Sequence, residues 1–221
     1  MKQHILIFLL FLGLAACKSD PAIIDTPIIF DENRKSMTLD YLKDRYELER
    51  NNIEITPKMI VLHWTVYETL EESFAAFEKP SLPNWRPDIE NISGLNVSAH
   101  FLVDRDGTIY RLMPETYMAR HVIGLNHCAI GIENVGGTEN APLTREQLKS
   151  NIKLVTYLAK KYPIEFLIGH YEYTRFEGHP LWLEVDDGYR TEKTDPGPDF
   201  MKNVREATRS FNFKPLPNSE N

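Results

Sequence analysis

His63 closes the apolar run Met59-Ile60-Val61-Leu62, and His170 follows Phe166-Leu167-Ile168-Gly169. Short continuous apolar runs read as strands buried on both faces. A histidine at the mouth of such a strand is held by rigid backbone and can face a cleft. A third segment, Lys193-Thr194-Asp195-Pro196-Gly197-Pro198, is a turn fixed by proline and glycine. It either aims Lys193 and Asp195, or makes a rigid connection with Asp195 near the N-terminus of the next helix. Two histidines and a carboxylate suit a catalytic zinc, which takes three protein ligands and keeps a fourth position open. The same histidines also read as hydrogen-bonded structural residues. Spacing does not decide between the two, because the donors come from distant parts of the chain.

Several elements must position these groups. A helix is predicted from about Thr38 to Arg50, on the spacing of Leu39, Leu42 and Tyr46. After the strand at 59–62, Thr65 with Glu68 matches a capping box, so a helix should run to about Glu78. Residues 79–95 hold Pro80, Pro83, Pro87 and Gly94 and read as a loop. Ser98–Val103 and Thr108–Met113 flank Asp104-Arg105-Asp106-Gly107, a hairpin with Asp-Gly turn chemistry. Ala129–Val135 is another apolar strand. Thr144 and Gln147 form a second capping box, opening a helix with the stripe Leu148, Ile152, Val155 and Ala159 that Pro163 ends. The last helix spans Pro198 to Phe211, with proline in its first turn. Strands mixed with helices through one stretch imply a single α/β domain with a central mixed sheet flanked by helices.

The chain has 221 residues, 42% hydrophobic, 11% aromatic and 26% charged, which is enough apolar material to exclude wholesale disorder. A net charge of -7 argues against a non-specific nucleic-acid binder. Two cysteines exclude a disulfide-stapled scaffold. The chain opens on Met1-Lys2-Gln3-His4, followed by an almost wholly apolar run from Ile5 to Leu14, the layout of a secretory signal. Leu14-Ala15-Ala16-Cys17 resembles a bacterial lipobox. That resemblance implies cleavage before Cys17 and a diacylglyceryl group on its thiol; the competing reading is an ordinary cleaved signal. Two or three acyl chains anchor stably to a membrane. Lys18 stands where an aspartate would retain such a protein in the inner membrane, which points to the outer membrane of a bacterial envelope. The expected organisation is a signal peptide at 1–16, a lipidated tether at 17–37, the domain at 38–213 and a flexible tail at 214–221. Cys128 is expected to be a buried, reduced thiol.

Four segments together resemble the N-acetylmuramoyl-L-alanine amidase family, amidase type 2. They are Ile60-Val61-Leu62-His63-Trp64-Thr65; Val97 through Gly107; Ile130-Gly131-Ile132-Glu133-Asn134-Val135-Gly136; and Ile168-Gly169-His170 with Lys193 through Pro198. With a lipobox in front, the chain is most similar to the outer-membrane lipoprotein branch. The resemblance implies Zn2+ held by His63, His170 and Asp195, with Glu133 and Lys193 catalytic. It implies hydrolysis of the amide joining N-acetylmuramic acid to L-alanine in peptidoglycan or muropeptides. A zinc held there would lower the pKa of bound water and so supply a nucleophile at neutral pH. Glu133 would take and return the proton, and Lys193 would stabilise the oxyanion. No nucleic-acid partner is expected, and the protein should be a monomer.

His121 falls on a family histidine that can touch substrate, with His100 and Asn126 as further candidates. His100 also reads as structural. Two departures stand out: Arg120 replaces the family's tryptophan, and the stretch between His170 and Asp195 is long. That insert carries Tyr171, Tyr173, Phe176, Trp182 and Tyr189, and reads either as a lid or as a loop packed on itself. His179 within it is a possible competing ligand. The alternative to an enzyme is a non-catalytic peptidoglycan-binding lipoprotein; another is a zinc peptidase cutting within the stem peptide.

Overall fold

The computed structural model describes residues 20–83 and 93–217. The signal segment and Cys17 lie outside the described residues, as does the middle of the 79–95 loop. Ile23–Asp25 form β1, within the expected tether. β1 pairs in parallel with β4 (Ile109–Arg111), in the register Ile23 to Ile109. Onward, Thr26 and Ile28 donate backbone hydrogen bonds to the carbonyls of Arg111 and Leu112 at 2.9 Å. Ile28 is buried, a contribution of roughly 1.5–3 kcal/mol. The tether expectation therefore fails from about Pro21: the apolar pairs Ile23-Ile24 and Ile28-Ile29 cover what would otherwise be an open sheet edge.

α1 runs over Glu32–Tyr46, six residues earlier than expected. Asp31 caps its first turn by accepting from Arg34 N–H at 2.9 Å. The polar start hides Arg34, a buried residue whose guanidinium donates to the carbonyls of Phe77 (2.8 Å), Glu78 (3.2 Å) and Lys79. Those carbonyls end α2, Leu70–Glu78, which has no helical partners for them. The start of α2 is also shifted. Thr69, not Thr65, is its cap, because the threonine-to-glutamate spacing occurs twice. Thr65 N–H is instead bonded to the Asn134 carbonyl at 2.9 Å.

The sheet has six strands in the order β1-β4-β3-β5-β2-β6. β2 is Met59–Leu62, β3 Phe101–Val103, β5 Ala129–Asn134 and β6 Phe166–Gly169. The β3–β4 pair is the expected hairpin and is antiparallel, while β3, β5, β2 and β6 run parallel. β5, β2 and the edge strand β6 are buried along their whole length.

α3, Arg145–Lys161, opens on the expected capping box. Gln147 serves it twice over. Its Oε1 accepts from Thr144 N–H at 2.9 Å, and its Nε2 donates to the carbonyls of Val103 (3.1 Å) and Val135 (2.8 Å). α3 packs against the sheet with α4, Pro198–Ala207; a 3-10 turn, Arg209–Phe211, completes the expected last helix. On the other face, Tyr173, Phe176 and Tyr189 of the insert join Val61, Ile168 and Leu125 in one cluster. The described part of the tail is held: Lys214 N–H bonds the Glu165 carbonyl at 2.8 Å, and Leu216 packs on that cluster. Among the described residues no helix is long and apolar enough to cross a membrane. Cys128 is a buried free thiol, pushed up to about 12 by burial.

Candidate zinc site and active-site cleft

The register of the parallel strands places the site. Leu62 pairs with Ile132 on one side and with Gly169 on the other. The next residue along each strand is therefore His63, Glu133 or His170, side by side at one sheet end. Open parallel sheets bind ligands outside the carboxyl ends of their strands. Asp195 is brought over the same edge by its turn, whose carbonyl accepts from Tyr171 N–H at 3.1 Å.

His63 Nδ1 lies 2.9 Å from His170 Nδ1 and 3.2 Å from Asp195 Oδ2, and His170 Nδ1 lies 3.1 Å from the same oxygen. Ring protons on both nitrogens would crowd between them to reach one oxygen; a shared cation suits all three donors. A tetrahedral zinc with bonds of about 2.0–2.1 Å spaces its ligands about 3.3 Å apart, close to this triangle. The three residues are buried and form the possible metal group among the described residues. Burial tends to raise the Asp195 carboxyl, but His170 and His63 outweigh it and hold the group well below the carboxylate range. Burial and the neighbouring His170 lower His63 to about 4. Both effects keep the donors in ligating form at neutral pH.

The triangle sits in a cleft of about 400 Å³ whose lining includes Glu133, Lys193, Trp64, Val66, Ser98 and Thr191. Glu133 is buried and Lys193 half-buried. Trp64 needs Gly137: a Cβ there would stand 2.3 Å from the indole, and its φ of +98° also suits glycine. Val66, on the cleft lip, is 56% exposed and has φ +62°, a costly conformation for a β-branched residue. Sequence reasoning passed over Val66 and Trp64, though Trp64 adjoins His63. It also passed over Asn134, whose Nδ2 donates to the His63 carbonyl at 2.9 Å and whose Oδ1 accepts from Asn151 at 2.7 Å.

The three candidate substrate-contact residues fare differently. His100 is fully buried and does not line the cleft. Its Nε2 faces the Tyr117 carbonyl at 2.8 Å, and its Nδ1 accepts from Gly131 N–H at 3.0 Å. It is a structural histidine, lowered to about 4 by burial. Asn126 lines the cleft, but its Oδ1 is taken by the N–H groups of His121 (2.9 Å) and Val122 (2.8 Å), and its Nδ2 donates to Tyr46 at 2.9 Å. His121 is also buried, with Nδ1 3.0 Å from His63 Nε2 and Nε2 3.2 Å from the Ala129 carbonyl.

His179 is not near the triangle: its ring packs on Phe166 and Phe176. Arg120, where the tryptophan was expected, is buried under Tyr41 and Tyr189, and donates to the Leu95 and Ser93 carbonyls. The Tyr189 ring also carries the guanidinium of Arg45, which pairs with Glu184 and Asp186. The insert is thus packed against α1 and forms one wall of the cleft.

The chain matches the family described as N-acetylmuramoyl-L-alanine amidase (Amidase_2) over residues 54–198. It is 35% identical to the endolysin of Escherichia phage T7 over 83 residues, which are 35% of this chain and 55% of that one. The chain thus spans about half the length of the curated relatives it matches. The N-acetylmuramoyl-L-alanine amidase LysC from Clostridium intestinale URNW superimposes with a TM-score of 0.53 at 25% identity, covering 88% of this chain and 99% of that one. A selenomethionine derivative of AmpD shares the fold, with a TM-score of 0.51 at 24% identity over 84% of this chain and 93% of that one. A six-stranded mixed sheet ending in this donor set, together with a family match over most of the domain, leads to one conclusion: the chain belongs to the N-acetylmuramoyl-L-alanine amidase family of type 2.

Proposed function

We propose that this protein is a zinc-dependent N-acetylmuramoyl-L-alanine amidase, hydrolysing the amide between N-acetylmuramic acid and L-alanine in peptidoglycan or muropeptides. The observation that carries this reading is the donor triangle of His63, His170 and Asp195 at the floor of a cleft that Glu133 and Lys193 also line. When bound there, zinc supplies Lewis acidity and activates water at neutral pH. The chain's own groups do the rest. Glu133, on rigid β5, takes the proton of the attacking water and returns it to the L-alanine nitrogen as the amide bond breaks. Lys193 lies two residues before Asp195 and brings its charge to the oxyanion that develops on the carbonyl oxygen. Trp64 and Val66 offer apolar faces to the sugar or the stem peptide.

The purified protein, with zinc or with chelator, should be incubated with defined muropeptides bearing reduced or anhydro sugars, and the products read by mass spectrometry. Zinc-dependent release of intact stem peptide with a free L-alanine amine is the expected result. Shortened peptides would instead indicate a peptidase, and binding without products a recognition module. The lipobox sequence Leu14-Ala15-Ala16-Cys17 supports anchoring to the envelope through lipid on Cys17, with the outer membrane favoured by Lys18. Cys17→Ser should abolish metabolic labelling with palmitate and release the protein from the membrane fraction.

A further inference from the structure

We infer that His121 is a positioning residue for the metal: together with the Ala129 carbonyl it fixes His63 in the tautomer whose Nδ1 is bare and aimed into the donor triangle. The inference rests on the zinc reading and concerns a side chain that is not itself in the triangle.

The Ala129 carbonyl can only accept, and His121 Nε2 lies 3.2 Å from it. His121 Nε2 therefore carries the proton. A neutral imidazole has one donor and one acceptor nitrogen, so His121 Nδ1 is bare. His63 Nε2 lies 3.0 Å from that bare nitrogen and must donate to it. The proton of His63 is thereby placed on Nε2, and Nδ1 is left with a free lone pair 2.9 Å from His170 Nδ1 and 3.2 Å from Asp195 Oδ2. One main-chain carbonyl of β5 thus sets the protonation of a metal donor two rings away. Metal-bound histidines commonly give their second nitrogen's proton to such a partner, which orients the ring and makes it more basic.

The surroundings keep His121 in this pose. Its rings cross those of His63 and His100 edge to face, at 5.1 Å and 5.9 Å between centroids. Its backbone N–H is tied to Asn126 Oδ1 at 2.9 Å. Gly131 is the floor: a Cβ at that position would stand 2.8 Å from His121 Cγ, so only glycine lets the imidazole lie over β5. The same Gly131 gives its N–H to His100 Nδ1 at 3.0 Å, which locks the neighbouring ring as well. His121 also lines the cleft, but with both nitrogens engaged it has no ring N–H left to give a substrate.

The test compares His121→Leu with His121→Asn, whose amide oxygen can occupy the place of Nδ1. Zinc affinity of the purified protein is measured by competition with a chromogenic chelator, with circular dichroism as the fold control. His121→Leu should bind Zn2+ about 10–100-fold more weakly, and His121→Asn within a few-fold of the parent. In the parent, 15N NMR of the histidine rings should show His121 protonated on Nε2 and a His63 Nε2–H shared with His121 Nδ1. This readout holds even if the leucine variant does not fold. Undiminished zinc affinity in His121→Leu with a raised KM would overturn the inference and return His121 to substrate contact. So would a proton on His121 Nδ1. A parent protein that binds no zinc would fail at the earlier step, and the zinc reading would fall with it.

Discussion

At the scale of single residues, the proposed function divides the cleft into groups that would hold the metal and groups that would react. His63, His170 and Asp195 are buried together, whereas Glu133 lies beside them on the neighbouring strand and lines the same cleft. Glu133→Gln should therefore keep zinc bound and lower kcat by about 10²–10⁴-fold, the usual size of a general acid–base contribution. Zinc content by metal analysis alongside steady-state kinetics reads both; loss of metal would move Glu133 into the holding set. Val66 is a different kind of residue. It keeps φ +62° while 56% exposed on the cleft lip, a conformation costing about 1–2 kcal/mol for a side chain of its shape. Val66→Asn, which tolerates this region, should raise stability by about 1 kcal/mol and raise KM with little change in kcat. A variant that melts higher but turns over muropeptide with unchanged KM would show that the apolar lip is not used.

Among the elements, the most informative is the start of α3. Thr144 and Gln147 read as a capping box, and in an isolated helix a glutamate at 147 would serve as well as glutamine. Here the Gln147 amide also straps the ends of β3 and β5 through the carbonyls of Val103 and Val135. Gln147→Glu removes two donors and sets a carboxylate against two buried carbonyls. It should cost at least about 2 kcal/mol, seen as a lower urea midpoint with unchanged slope. An unperturbed midpoint would mean that the strap carries no stability. The strap adjoins the Asn151–Asn134 pair, through which Asn134 holds the His63 backbone. α3 thus supports the strand end that bears His63, a candidate zinc ligand.

For the whole molecule, buried neutral histidines make stability depend on pH. His100 is lowered to about 4 in the fold by burial, against about 6.5 in an unfolded chain. Between these values the unfolded chain binds the extra proton, so stability falls as pH drops from about 6.5 to about 4. His127, likewise lowered to about 4 by burial and by Arg50 and Lys58, acts in the same direction. Unfolding midpoints in chelator at pH 7 and pH 4.5 should differ in this sense. His100→Gln should shrink the difference, since it removes one of the titrating groups; an identical pH slope in the variant would place the acid sensitivity elsewhere.

Much of the site is legible in the sequence because it is local. Apolar runs ending in His63 and His170 identify buried strands by composition alone, and the Asp-Gly turn, the Thr144 cap and Pro198 mark element ends through backbone preferences of a few residues. The amidase family likeness is likewise carried by short segments in order. What tertiary structure decides is non-local. Ile23–Asp25 look like tether until an open edge at β4 gives them a partner. Arg34 reads as a solvated charge until the end of α2 supplies three carbonyls. His100 and His121 are both candidate contacts by type, and only packing separates them, the first sealed between Tyr117 and Gly131, the second set behind His63. A histidine's chemistry depends on what each nitrogen faces, and in this protein those partners come from distant strands, whose register no short stretch of sequence records.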